Sequence, residues 1–157
     1  LIPEPAEMKC MGDFLAEAGV GFREVQAQGR LADAIGQLAQ DGVAVLVVRA
    51  GMRLAGTVAA REIIAVLARC GAVELDTVAI EACMTPNPAT IDAAAGYAQG
   101  LERIAHSNAP FLILTSGERI AGVASSRKLA IAICRLLQTE LNTMNHYLAD
   151  LHEAGLD

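Results

Sequence analysis

Apolar positions along this chain switch between two spacings, and the switching repeats. Leu31, Ile35, Leu38 and Ala39 recur at helical intervals, and Tyr97, Leu101, Ile104 and Ala105 do the same further on. Each helical stretch leads into an unbroken apolar run, residues 43–48 and 111–114, rich in the branched side chains that suit a strand buried on both faces. A turn follows at Ala50-Gly51-Met52-Arg53 and at Ser116-Gly117-Glu118-Arg119, where glycine supplies the positive φ of a tight hairpin. Second strands are predicted over residues 54–59 and 120–125, and helices starting near Arg61 and Arg127. With a short extended piece at residues 23–25 or 89–91, each unit reads β-α-β-β-α.

The two units are one pattern used twice. Leu54-Ala55-Gly56 returns as Ile120-Ala121-Gly122, 66 residues on. At that offset residues 22–69 lie on 88–135 without a gap, with identities such as Leu46/Leu112, Gly51/Gly117, Arg53/Arg119, Gly56/Gly122, Arg61/Arg127 and Arg69/Arg135. The joint spans residues 71–88, where Met84-Thr85-Pro86-Asn87-Pro88 imposes an extended, non-helical path. A single unit of roughly 50 residues is marginal alone, so the pair is expected to pack as one body. The expected divisions are an N-terminal segment (1–19), a first repeat (20–71), a linker with the second repeat (72–137) and a C-terminal helical extension (138–157).

Both ends carry information. Residues 6–18 are weakly helical, with Met8, Met11, Phe14 and Leu15 on one side; the segment either caps the body or belongs to an upstream domain. From Ser126 to about Ala154 no Pro or Gly interrupts, and Gly155 provides a stop. Within that helix Leu137, Leu141, Met144, Leu148 and Leu151 are spaced as a short heptad seam, which either folds back on its own module or packs on another subunit.

Composition narrows the function classes. The 157 residues are 54% apolar and 19% charged, which excludes a disordered tail, and aromatics at 3% with no Trp leave an aliphatic core. A net charge of −6 argues against a nucleic-acid binder. The most apolar stretch is broken by Arg61 and Glu62, so no membrane segment is expected, and the Pro-rich, acidic start does not read as a secretory signal. Cys10, Cys70, Cys83 and Cys134 form no C-x-x-C; they are expected reduced and packed, in a cytoplasmic protein. His146 and Asp150 lie one helical turn apart, but exposed His and Asp on a helix are the ordinary reading, and no metal is expected. Walker, Rossmann, G-x-S-x-G and H-E-x-x-H motifs are all missing from the sequence, and Cys83 has no neighbouring base, so no enzyme is expected.

One stretch, Ala82-Cys83-Met84-Thr85-Pro86-Asn87-Pro88-Ala89-Thr90-Ile91, resembles the opening of a cystathionine-β-synthase (CBS) domain. Ala109-Pro110-Phe111-Leu112-Ile113 resembles that family's strand entry, and the repeated Gly-hairpin-Gly stretches complete the pattern. The chain, from about Val20 to Leu137, thus resembles a tandem CBS pair, or Bateman module. The implied fold is α/β (α+β), two β-α-β-β-α CBS repeats in a pseudo-two-fold pair plus a long C-terminal helix. The resemblance also implies a non-catalytic regulatory module, disc-like homodimers, a possible protein partner or fused domain, and an adenosine ligand such as AMP, ATP or S-adenosylmethionine.

In that family the ligand lies between the repeats. Carried over, the site draws on Thr90 and Ile91, on Ala109 and Pro110 (Val43 and Ala44 in the first repeat), and on a G-x-[VI]-[ST]-x-x-D turn. There a hydroxyl and a helix start hold phosphate while the carboxylate accepts from the ribose hydroxyls. The first turn here reads Gly56-Thr57-Val58-Ala59-Ala60-Arg61-Glu62 and the second Gly122-Val123-Ala124-Ser125-Ser126-Arg127-Lys128. Ala59 lacks the hydroxyl and Lys128 cannot accept a hydrogen bond, so neither turn is complete. Glu62 could hold a ribose while Arg61 or Arg127 meets phosphate, leaving one working cleft. Alternatively both sites are lost and the module is a ligand-independent scaffold.

Overall fold

A computed structural model describes residues 9–71 and 75–155. Apolar runs that cannot turn either face to water set the arrangement. In the first repeat β2 (Phe22–Gln26) lies parallel to β3 (Val45–Ala50), the helix α2 (Leu31–Leu38) crosses between them, and β4 (Arg53–Val58) returns antiparallel before α3 (Ala60–Cys70). The second repeat runs β6 (Ala89–Asp92), α4 (Tyr97–Ala105), β7 (Phe111–Ser116), β8 (Arg119–Ser125) and α5 (Ser126–Glu153) with the same pairing. Register breaks fall at matching places, Val48/Arg49 and Leu114/Thr115. Gly51 and Gly117 turn the two hairpins with φ of 66° and 64°, as the sequence predicts.

Side-chain alternation assigns each face. Leu46 and Val48 of β3 join Leu31, Ala34, Ile63 and Val66 in a core beneath α2 and α3. Leu112 and Leu114 of β7 join Ile91, Leu129 and Ile133 in the equivalent core of the second repeat. The opposite faces meet each other: Val45, Val47, Ile113 and Val123 form a third cluster between the sheets, with Phe22, Leu54, Phe111 and Ile120 around it. The expected mixed fold of two packed repeats and a long terminal helix is therefore present.

Each sheet is finished by the other repeat's leading segment. A short strand β1 (Gly19–Val20) follows the helical turn α1 (Leu15–Ala18) and precedes the first repeat, yet it pairs with β8 of the second. Its counterpart β5 (Thr85–Pro86) precedes the second repeat and pairs with β4 of the first. The chain crosses between sheets at Gly21 and at Asn87. A Cβ on Gly21 would sit 1.6 Å from the Gly42 carbonyl oxygen, and Asn87 adopts φ 55°, a conformation its short polar side chain tolerates. The extended path expected over Met84-Thr85-Pro86-Asn87-Pro88 is thus corrected at Asn87.

The leading segments also bury side chains in the repeats they complete. Met11 and Phe14, in a 3₁₀ turn at Met11–Phe14, are 0% and 1% exposed within the second repeat's core. The Met11 and Gly12 N–H groups donate to the Ala95 and Ala93 carbonyls at 2.8 and 2.9 Å. Leu31 and Ala32 donate to Val78 and Leu75 at 2.9 and 3.2 Å in the first repeat. Within that segment the described residues from Met11 to Ala18 therefore cap the body; Met8 lies outside the described residues. Among the described residues no helix is long and apolar enough to cross a membrane.

Because Phe14 fills the core of the second repeat, Phe14→Ala should destabilise the whole protein by about 3 kcal/mol. Urea unfolding reads this; an unchanged midpoint would show the segment to be an appendage.

Candidate functional site

The motif turns sit where β4 runs into α3 and β8 into α5, and their side chains act on the helix starts. Glu62 is a third-position residue of α3 and reaches back, its Oε2 accepting from the Ala59 N–H at 3.0 Å. Its Oε1 accepts from the Thr85 hydroxyl at 2.9 Å, linking α3 to the exchanged strand β5. In the second repeat the roles are reversed: Ser125 Oγ accepts from the Lys128 N–H at 3.3 Å. A capping box joins a hydroxyl at the cap to a carboxylate three residues on. Each repeat here retains one half of it, Glu62 without a hydroxyl at Ala59 and Ser125 without a carboxylate at Lys128.

Among the predicted site residues, Arg61 and Glu62 stand at the start of α3 and Ala109, Pro110, Ser125, Arg127 and Lys128 at or beside the start of α5, while Thr90 and Ile91 belong to β6. At α3, Glu62 is only 9% exposed, and the exposed Arg61 brings its Nε to 4.0 Å from Glu62 Oε1. At α5, Ser126 donates from its hydroxyl to the Ala109 carbonyl and from its N–H to the Pro110 carbonyl, both at 2.9 Å. Ser125, Ala109, Pro110 and the Lys128 backbone are thereby gathered, while the Arg127 and Lys128 side chains are exposed. Thr90 lies on β6 opposite Ile113 of β7 and is half-buried. Ile91 turns the other way and is 6% exposed, in the second repeat's core.

At the far end of the sheets the two hairpins meet around Arg49. Its guanidinium donates to the Glu24 carboxylate through Nε, to the Met52 carbonyl at 2.8 Å and to the Glu118 carbonyl at 3.2 Å. The last contact crosses from the first repeat to the second. A cavity of about 410 Å³ opens beside it, lined by Glu24, Gln26, Arg49, Met52, Glu118 and Arg119 among others. Sequence reasoning passed over Arg49, Thr85 and Ser126. Arg49 was the one with a visible signal, a lone cation ending the apolar run Val45–Val48.

Cysteine chemistry separates by burial. Cys83 is buried and its Sγ donates to the Ile80 carbonyl at 3.3 Å. Burial pushes its thiol up, the Glu62 charge adds to this, and its backbone hydrogen bond and Arg69 oppose it. All four cysteines are free, but Cys70 and Cys134 are exposed, which corrects the expectation that they would be packed. Both stand on solvent-facing sides of α3 and α5. No cluster of three or more metal-ligating side chains occurs among the described residues.

No family model and no curated protein matches this chain. Solved structures do. A CBS-domain-containing protein of Bacillus anthracis strain Ames Ancestor superposes with a TM-score of 0.64 at 17% identity, over 83% of this chain and 96% of that one. Another from Agrobacterium tumefaciens gives 0.63 at 19% identity, over 84% and 98%. CBSX2, solved in complex with AMP, gives 0.58 at 16% identity, over 82% and 98%. The chain has the fold of a tandem CBS pair.

Two outcomes follow from this geometry. Ser125→Ala should remove the α5 cap and lower stability by about 1 kcal/mol, read in urea unfolding, with no loss if solvent already caps the helix. A raised thiol pKa leaves Cys83 less thiolate at any given pH. Iodoacetamide at pH 8 should therefore label Cys70 and Cys134 first and Cys83 last; early labelling of Cys83 would contradict its burial.

Proposed function

We propose that this chain is a non-catalytic regulatory module that responds to an adenosine-containing ligand in one cleft, on the Glu62 side. The observation that carries the reading is the buried carboxylate itself. A serine caps α5 without placing a charge out of water, whereas α3 holds an anion at 9% exposure, which is costlier than capping requires. Glu62 uses two acceptor positions on Ala59 and Thr85, and a carboxylate has about four. The remaining capacity suits the paired hydroxyls of a ribose, with Arg61 beside it for phosphate. The AMP complex of CBSX2 supports the ligand class. By the same chemistry the second cleft is disabled, since Lys128 offers no acceptor.

A second reading, a ligand-independent scaffold, is favoured by the two internal donors that Glu62 already holds. Thermal melts with AMP, ADP, ATP, S-adenosylmethionine and NAD separate the two. A ligand at about 100 times its dissociation constant stabilises by roughly 2.7 kcal/mol, a rise of roughly 5–10 °C for this size. Glu62→Gln, measured against its own unliganded melt, should lose that rise. Flat melts for the unaltered protein at millimolar ligand would leave the scaffold.

A further inference from the structure

We propose that Arg49 is a one-sided latch, through which the first repeat sets the position of the second repeat's hairpin. The 66-residue offset matches Arg49 with Thr115. Both follow a register break, where an extra residue re-aims the side chain beyond it. From there the two diverge. Thr115 donates its hydroxyl to the Ile91 carbonyl at 3.4 Å and so stays within its own sheet. Arg49 holds Glu24 and the Met52 carbonyl of its own repeat, then crosses to the Glu118 carbonyl of the opposite hairpin at 3.2 Å. A threonine hydroxyl, one carbon from the backbone, is too short to return that reach.

The guanidinium suits this task. Its planar fork carries five donors in fixed directions, so one edge can hold a carboxylate while the others reach separate carbonyls. Only 13% of the Arg49 side chain is exposed, and pairing with Glu24, itself 47% exposed, offsets the loss of water. The other charges near the tips are Glu118, Arg119 and Glu81, all exposed. Arg49 lines cavities on two sides, of about 410 and 380 Å³, so no packed side chains replace its bond to Glu118 if that is lost. At the other end of the sheets the repeats are tied by the β4–β5 ladder and by the Thr85–Glu62 hydrogen bond. Between the two ends lies the apolar cluster, which holds the sheets together without direction. The hairpin end is therefore where the repeats part first, and Arg49 holds it closed. This latch needs no ligand and stands whether or not Glu62 binds one.

Amide hydrogen exchange of the full chain, followed residue by residue by NMR, tests it. Arg49→Lys retains the charge beside Glu24 but not the span to two carbonyls. Exchange at residues 115–120, in the other repeat, should rise on the order of 10-fold, as expected for losing one hydrogen bond from a charged group. Residues 129–133 of α5 should exchange as before. Thr115→Ala should speed exchange in β6 and β7 and leave residues 49–54 unchanged. Both substitutions are mild, and circular dichroism checks that the variants fold. Three results would overturn the proposal. Residues 115–120 could be unmoved by Arg49→Lys, α5 could loosen as much as they do, or Thr115→Ala could loosen residues 49–54 to the same extent.

Discussion

Everything in this molecule depends on two strands that have no face to show to water. In β3, Leu46 and Val48 point into one core while Val45 and Val47 point into another, and β7 divides Leu112 and Leu114 from Ile113 in the same way. Fully burying a branched aliphatic side chain contributes about 1.5–3 kcal/mol, so the four residues central to the inter-sheet cluster contribute up to about 6–12 kcal/mol. That is comparable with the roughly 5–15 kcal/mol that holds a whole domain folded. One repeat exposing this face would have little stability left, and stacking of the two sheets follows. The exchange of β1 and β5 then makes the union topological as well as apolar, because each sheet lacks its edge strand until the other repeat's leader arrives.

What could be read from the sequence was whatever had a period. Apolar runs and hairpin glycines stand out at the 66-residue repeat, and the element order follows from them. The crossing points escaped for a physical reason. Gly19–Val20 and Thr85–Pro86 are two-residue strands, too short to alternate, and their identity as strands comes from a partner far along the chain. Phe14 was similarly ambiguous: an apolar residue on a weak helix looks the same whether it caps its own body or a missing one. Surface cysteines escaped because Cys is so commonly buried that its composition argues for packing, and only the helix face decides.

The motif turns were legible as residues but not as interactions. Ala59 with Glu62 and Ser125 with Lys128 look like two damaged copies of one ligand signature. In the fold they are complementary halves of a capping box, each sufficient for its own helix. Helix ends need their orphan N–H groups satisfied whether or not a ligand ever comes. A turn at a helix start has to hold a cap whatever else it does, and here one repeat does so with the carboxylate and the other with the hydroxyl.

For the proposed function the consequential contact is the hydrogen bond that Thr85 donates to Glu62. Thr85 is on β5, the strand that the second repeat's leader lends to the first sheet, and it pairs there with Thr57. Under the proposed function, a ribose taking up the spare acceptor capacity of Glu62 would sit on the same carboxylate that holds Thr85, and so at the attachment point between the repeats. A ligand can shift a conformational equilibrium only by its differential affinity for the two arrangements. Under that proposal the two arrangements would differ in how firmly this bond holds β5 to α3. A signal leaving the proposed cleft by this route would pass along the Asn87 crossing into β6, and so into the sheet that carries β8, which leads into α5.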